Sequence, residues 1–369
     1  MIYNLIAPCY FGTEATCSFD FKRIGAQDIA VTDGRVAFAG DESIIAAANL
    51  NARCAERILI LLKSYKATTF DELFDGVSSI AWEDLLPADA AFPVKGASLS
   101  STLSSVPACQ SIVKKAIVER LKKGHKVTTL PEDGVLYKVR FSIRKDVAEI
   151  MLDTSGDGLH KRGYRKNATL APIKETLACA MIDQGRLYHD SLVQDPFCGS
   201  GTLMIEAAMK ALHIAPGLRR RFAAENYAFM PKEVWQQARE QALDEVQKDC
   251  TFSAIGFDID PQAVAIATQN AKLAGVEKYC KFFTADVKNF APSEKAVVYT
   301  NPPYGERLGS LDEAAALEVL LGQRLAQNPV RSAYIITADA NFEQNFGKKA
   351  VRRRKLYNGM IPCQIYMYY

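Results

Sequence analysis

The sequence predicts an α/β fold, with a parallel sheet in the C-terminal half and smaller α+β units before it. Three observations carry that reading. Ser191-Leu192-Val193-Gln194 looks like the end of a buried strand, and it runs through Asp195-Pro196-Phe197-Cys198-Gly199-Ser200-Gly201-Thr202 into a helix start at Leu203 to Ala208. Ala296 to Thr300 is an apolar run of the kind found in parallel strands buried on both faces. Asn301-Pro302-Pro303-Tyr304 must end it, because each proline fixes φ and removes an N–H donor.

The chain has 369 residues, 49% of them apolar and 24% charged, which suits a globular protein of two or three domains. No apolar run reaches the length of a membrane span, and the N-terminus lacks a charged signal-like region, so a cytoplasmic location is expected. Nine cysteines without a C-x-x-C pair and four isolated histidines suggest neither a disulfide framework nor a metal site. The net charge of +3 means that any nucleic-acid surface must come from local clusters.

Residues 1–65 read as a first α+β unit. Asn4 to Cys9 is a strand, and Asp28 to Thr32 with Arg35 to Ala39 form a hairpin across Asp33-Gly34, a strong two-residue turn signal. Ser43 to Asn51 is an Ala-rich helix and Ile58 to Leu62 another strand. This order resembles a ferredoxin-like module. Residues 66–158 change pattern: a capped helix begins at Thr68-Thr69, Phe92 to Ala97 is a short strand, and Pro107 to Val118 is a helix with Lys114-Lys115 at its middle. Leu136 to Ile143 and Val147 to Leu152 follow as paired strands. This succession resembles the THUMP domain, an RNA-binding module.

Residues 159–369 form the third unit. It opens on Leu159-His160-Lys161-Arg162-Gly163-Tyr164-Arg165, which reads as a compact basic patch with one stacking ring, although a solvated linker has the same composition. The entry helix ends near Gln184 and Gly185. After the glycine loop and its helix comes a long insertion, with Pro216-Gly217, the run Arg219-Arg220-Arg221 and a helix from Pro231 to Lys248. The arginines suit either RNA contact or a solvated helix end. Ser253 to Asp258 is the second strand, and Asp260 caps a helix with Pro261 at its first position, closed by Gly275. Lys281 to Asp286, Ala296 to Thr300 and Ala333 to Thr337 are further strands. Ala350 to Lys355 with Ile365 to Tyr368 make a final hairpin, with six basic residues from Lys348 to Lys355.

The glycine loop is not a phosphate cradle, since no Lys follows Gly201-Thr202. It also lacks the third glycine and the nearby acid of a dinucleotide fingerprint, which argues against a nicotinamide oxidoreductase. An Asn side-chain carbonyl and a proline backbone carbonyl can together hold the two hydrogens of an exocyclic amine. The aromatic ring of Tyr304 can stack on a flipped base. The Asp195–Thr202 loop, Asp258, Asp286, the Asn301–Tyr304 motif and the stretch from Leu159 to Ala178 together resemble the THUMP-containing class I guanine-N2 RNA methyltransferases. The likeness is to the amino-terminal half of the bacterial large-subunit rRNA enzyme and its short bacterial relatives, and it spans essentially the whole chain.

The resemblance implies a Rossmann-like class I methyltransferase domain with a mixed seven-stranded sheet, preceded by ferredoxin-like and THUMP modules. It implies S-adenosyl-L-methionine as cofactor, bound by Asp195, Phe197, Cys198, Gly199, Gly201, Thr202, Asp258, Ile259, Asp286 and Asn301. Asp258 would meet the ribose and Asp286 the adenine amine, while a turn cap is the other reading of Asp286. Asn301, Pro302, Pro303 and Tyr304 would be catalytic. Lys114, Lys115, Lys161, Arg162, Tyr164 and Arg165 would contact RNA, either rRNA or tRNA. Cys198 reads as a small cofactor-loop residue, because cysteine-adduct enzymes carry their nucleophile where this chain has Asn-Pro-Pro-Tyr. An adenine-N6 methyltransferase and a non-catalytic RNA-binding assembly factor are the competing readings. The second catalytic half of the fused rRNA enzymes is not in the sequence, so a single activity is expected.

Overall fold

The first strand, β1 (Tyr3–Pro8), lies inside a sheet that takes in both N-terminal units. The computed structural model describes residues 1–165, 172–247, 249–303, 311–358 and 361–369. In it β2 (Gln27–Thr32) and β3 (Arg35–Gly40) form the hairpin, with Gly34 at φ +75° as the turn requires. β4 (Leu59–Lys66) pairs with β1 on one side and with β7 (Val147–Asp153) on the other. β5 (Val94–Leu99) and β6 (Val139–Arg144) complete a seven-stranded sheet of order β2-β3-β1-β4-β7-β6-β5. The two units read separately from the sequence therefore share one continuous sheet.

Four helices cover it. α1 (Glu14–Arg23) went unread in the sequence, and α2 (Glu42–Asn51) starts where the Asp41 carboxylate accepts the Ser43 and Ile44 amides. α3 (Phe70–Ser78) opens on a Thr69–Glu72 capping box, and α4 (Val106–His125) carries proline in its first turn.

The second sheet has the order β10-β9-β8-β11-β12-β14-β13. Its strands are β8 (Leu192–Asp195), β9 (Ser253–Asp258), β10 (Cys280–Thr284), β11 (Val297–Thr300), β12 (Ser332–Thr337), β13 (Arg352–Asn358) and β14 (Ile361–Tyr368). β14 runs antiparallel to both its neighbours and the other pairings are parallel, so the sheet is mixed as expected. α5 (Glu175–Ile182), α6 (Thr202–Ala211) and α8 (Pro261–Ala274) build the apolar core on one face. α9 (Leu311–Gln327) and α10 (Phe342–Phe346) belong to the core on the other. Strand order reverses between β8 and β11, and the crevice at their carboxyl ends is where an open α/β sheet takes its ligand.

The insertion after α6 is a clamp. Its helix α7 (Lys232–Asp244) packs on α2, while Phe222, Tyr227 and Trp235 join the core of the N-terminal sheet. Tyr227 stacks on Tyr137 with centroids 4.3 Å apart and donates its hydroxyl to the Asp153 carbonyl. Of the three arginines, Arg220 donates to the carbonyls of Asp157, Gly158 and Lys161, so it ties the linker down. Arg221 is exposed and pairs with Glu225.

Candidate active site

The loop from β8 to α6 takes its shape from two glycines with positive φ, +49° at Gly199 and +80° at Gly201. A Cβ on Gly201 would come within 2.9 Å of the Phe282 ring and 3.0 Å of Ala267, so α8 and β10 approach closely only because that position is glycine. Asn270 of α8 donates to the Ser200 carbonyl at 3.0 Å, and the Cys198 amide donates to the Phe257 carbonyl at 2.8 Å. The loop is thus pinned from both sides before any ligand arrives.

Asp195 ends β8 fully buried. Its Oδ1 accepts the Thr300 hydroxyl at 2.6 Å and the Phe197 amide at 3.0 Å. Burial pushes its carboxyl up to about 7, against the two hydrogen bonds that favour ionisation, with the Asp258 charge adding a little. Thr300 is a site residue that the sequence reading missed. Its place beside Asn301 was the only signal, and the pairing of β11 with β8 brings it to Asp195. Burial, with the charges of Asp195 and Asp258, lifts the Cys198 thiol well above its usual range. It is therefore a thiol at neutral pH, not a nucleophile.

Asp258 ends β9, and its Oδ2 accepts the Gly199 amide at 2.9 Å. That bond locks the acid to the glycine loop. Ile259 beside it is 69% exposed and offers an apolar surface at the carboxyl edge of the sheet. Asp286 caps the short turn after β10, accepting the Lys288 amide at 2.8 Å, and pairs with the Lys288 ammonium. Its carboxylate thus has the capping role named as the alternative reading. Asn301 is buried, and its Oδ1 finds no hydrogen-bond partner among the described residues. It lines one cleft with Asp195, Phe197, Cys198, Gly199 and Thr202, and with Pro172 and Ile173, two residues not singled out in the sequence. Pro302 is buried and Pro303 partly so, whereas Tyr304 lies outside the described residues.

Most of the basic stretch that opens this domain is not free to contact RNA. Arg162 is 3% exposed, and its guanidinium donates to the carbonyls of Ala52, Arg53 and Leu159 and faces Glu206 at 3.7 Å. Tyr164 is buried and donates to Glu206 at 3.0 Å, so its ring cannot stack on a base. Arg165 bonds the Ile173 carbonyl, Thr202 and Glu175. Arg162 thereby ties the N-terminal unit to this domain, whereas Tyr164 and Arg165 are satisfied within it. Only Lys161 stays on the surface, near Asp157. Lys114 is likewise committed, lying 3.4 Å over the Phe92 ring and paired with Glu132 at 2.6 Å. Lys115 is exposed on α4, 3.8 Å from Glu119.

Three family models match the chain in series. They are the RlmL ferredoxin-like domain over residues 4–59, the THUMP domain over 67–153, and the RMKL-like methyltransferase domain over 162–367. The curated protein "Putative RNA methyltransferase YpsC" of Bacillus subtilis (strain 168) is 43% identical over 370 residues, spanning 100% of this chain and 96% of its own length. A solved structure from Listeria monocytogenes str. 4b F2365, named "a predicted N6-adenine-specific DNA methylase", is 44% identical with a TM-score of 0.94, over 100% of this chain and 96% of that one. SMU.472, named "a putative methyltransferase complexed with SAH", is 39% identical with a TM-score of 0.93, over 100% and 98%. The residues here fit that cofactor's parent, S-adenosyl-L-methionine. Asp195 offers a buried carboxylate to a cation, Asp258 an acid fixed against the loop, and Asn301 an acceptor without a partner among the described residues.

Proposed function

This chain belongs to the RMKL-like methyltransferases, and from that premise we propose that it methylates the exocyclic N2 amine of a guanosine in RNA, with large-subunit (23S) rRNA as the substrate ahead of tRNA. The observation that carries the proposal is the buried Oδ1 of Asn301, without a hydrogen-bond partner among the described residues, just after β11 in the same cleft as Asp195 and the glycine loop. A buried acceptor without a partner is costly unless a ligand supplies the donor.

Bound S-adenosylmethionine supplies an electrophilic methyl group on a positively charged sulfur. The chain's own work is alignment. Asn301 Oδ1 and the Pro302 carbonyl accept the two hydrogens of the amine and turn its lone pair toward the incoming carbon. Guanine N2 needs that help, because its lone pair is delocalised into the ring. Fixed dipoles in a buried site stabilise the developing charge without reorganising. Tyr304 captures the base by stacking. The proton leaves after transfer, so no side chain is assigned as general base.

The adenine-N6 reading has the name of the Listeria relative in its favour, and the same four residues suit either amine. The THUMP domain favours an RNA substrate and with it the guanine reading. Mass-spectrometric mapping of methylated nucleosides in total RNA, from a strain lacking the gene and its parent, tests this. The expected result is loss of one N2-methylguanosine in 23S rRNA, restored by the intact chain and not by Asn301→Ala. Loss of an N6-methyladenosine instead would replace the guanine reading.

A further inference from the structure

At the edge of the second sheet opposite the catalytic cleft, three arginines converge on one groove. Arg186 precedes β8, Arg331 precedes β12 and Arg352 opens β13. β12 has six residues, so this edge lies about 20 Å from the carboxyl ends of the strands. The groove therefore belongs to neither the cofactor site nor Asn301. All three guanidinium groups are on exposed residues, and none has an ion pair among the described residues. Among the described residues no acidic side chain lines the groove.

Aromatic rings accompany the charge. Arg331 lies 5.5 Å from the centroid of the Tyr188 ring, and Tyr188 is 47% exposed. Tyr369, 66% exposed, stands on the groove's other wall. A second cleft lies against the same loop. Gln184 and Arg186 line the groove, while Asp183, Leu187, Tyr188 and His189 of the same loop line the second cleft with Arg23, Lys210 and His213. The two acids of that cleft are already engaged, Asp183 by Lys210 and Asp20 by the Arg53 amide. Exposed arginines without an ion pair among the described residues, beside exposed rings, suit a chain of phosphates with stackable bases.

We infer that this rear groove is a second RNA-contact surface, holding a single-stranded or looped segment of the substrate with its phosphates on Arg186, Arg331 and Arg352 and a base on Tyr188. The inference rests on the RNA reading above and extends it to a face remote from the chemistry. An acidic polypeptide is the competing occupant.

The test uses the full chain and its Arg186→Gln/Arg331→Gln/Arg352→Gln variant. The probes are protein-free 23S rRNA, a 20-nucleotide poly-uridine and poly-glutamate, and cofactor affinity and thermal midpoint are measured alongside. Losing three phosphate contacts should lower the slope of log affinity against log salt by roughly 2 to 3 and weaken rRNA and poly-uridine binding by at least about tenfold near 0.1 M salt. Cofactor affinity and thermal midpoint should not move. An unchanged affinity and slope for both RNAs overturns the inference. So does a selective loss of poly-glutamate binding, which would assign the groove to an acidic protein. If the parent chain binds the cofactor but neither binds nor methylates RNA, the RNA reading itself falls. If the parent methylates rRNA and the triple variant binds it equally well, only the groove falls.

Discussion

Cofactor affinity should depend on pH through Asp195. Its carboxyl is lifted from an ordinary 3.8 to about 7 because the group is buried. The cofactor carries a sulfonium and an ammonium, and a cation in the cleft favours the ionised form of a neighbouring acid. Binding must therefore drive a proton off Asp195 whenever the pH lies below about 7. Affinity is complete above that value and falls by close to tenfold per pH unit between about 7 and about 5. For the cofactor-free protein the sign is opposite. Asp195 contributes its full stability below the ordinary carboxylate range, and this is lost as pH rises through about 7. Titration calorimetry at pH 6, in two buffers of different ionisation enthalpy, should report close to one proton released per cofactor bound. Asp195→Asn should abolish that release and flatten the pH profile. Binding of constant strength from pH 5.5 to 8 in the parent chain would refute the reasoning, because it would mean that Asp195 does not sense the ligand's charge.

Three other changes follow from the same geometry. Asn301→Ala should cut single-turnover methyl transfer by roughly 10²-fold while cofactor affinity in calorimetry stays near the parent value, since one preorganised contact at the reacting centre is lost. Gly201→Ala combines a left-handed backbone, at about 1–2 kcal/mol, with a Cβ 2.9 Å from the Phe282 ring, so it should weaken cofactor binding by more than about tenfold. Glu206→Ala leaves buried Arg162 without its carboxylate and Tyr164 without its acceptor, and denaturant titration should show a loss of about 3–5 kcal/mol.

The shapes of the glycine loop and of the strand end at Asn301 were legible because they are written in consecutive residues. Two glycines, two prolines and an apolar strand constrain their own backbone, whatever surrounds them. The stretch from Lys161 to Arg165 was misleading for the opposite reason. Its charges and ring look solvated until Glu206, 42 residues after Tyr164, and the Arg53 carbonyl, 109 residues before Arg162, come to meet them. The single N-terminal sheet was equally hidden, since β4 and β7 pair Lys66 with Val147 across a long interval of chain. α1 escaped notice because its buried residues Cys17, Ser18 and Phe21 are few and are mixed with polar neighbours.

The sharing of β4 between the two N-terminal units bears on the shape of the substrate. β5, the outermost strand of the THUMP side, stands three inter-strand steps from β4, a lateral offset of about 14 Å set by hydrogen bonds. Residues 154–165, which lead from β7 toward the second sheet, are held by hydrogen bonds from Arg162 and Arg220. If RNA is gripped on the THUMP side near β5, as the proposed function implies, the RNA's own fold must span the distance to the cleft. Short oligonucleotides with the correct target and flanking bases should be poor substrates at any concentration, and recognition would then read three-dimensional distance as much as sequence.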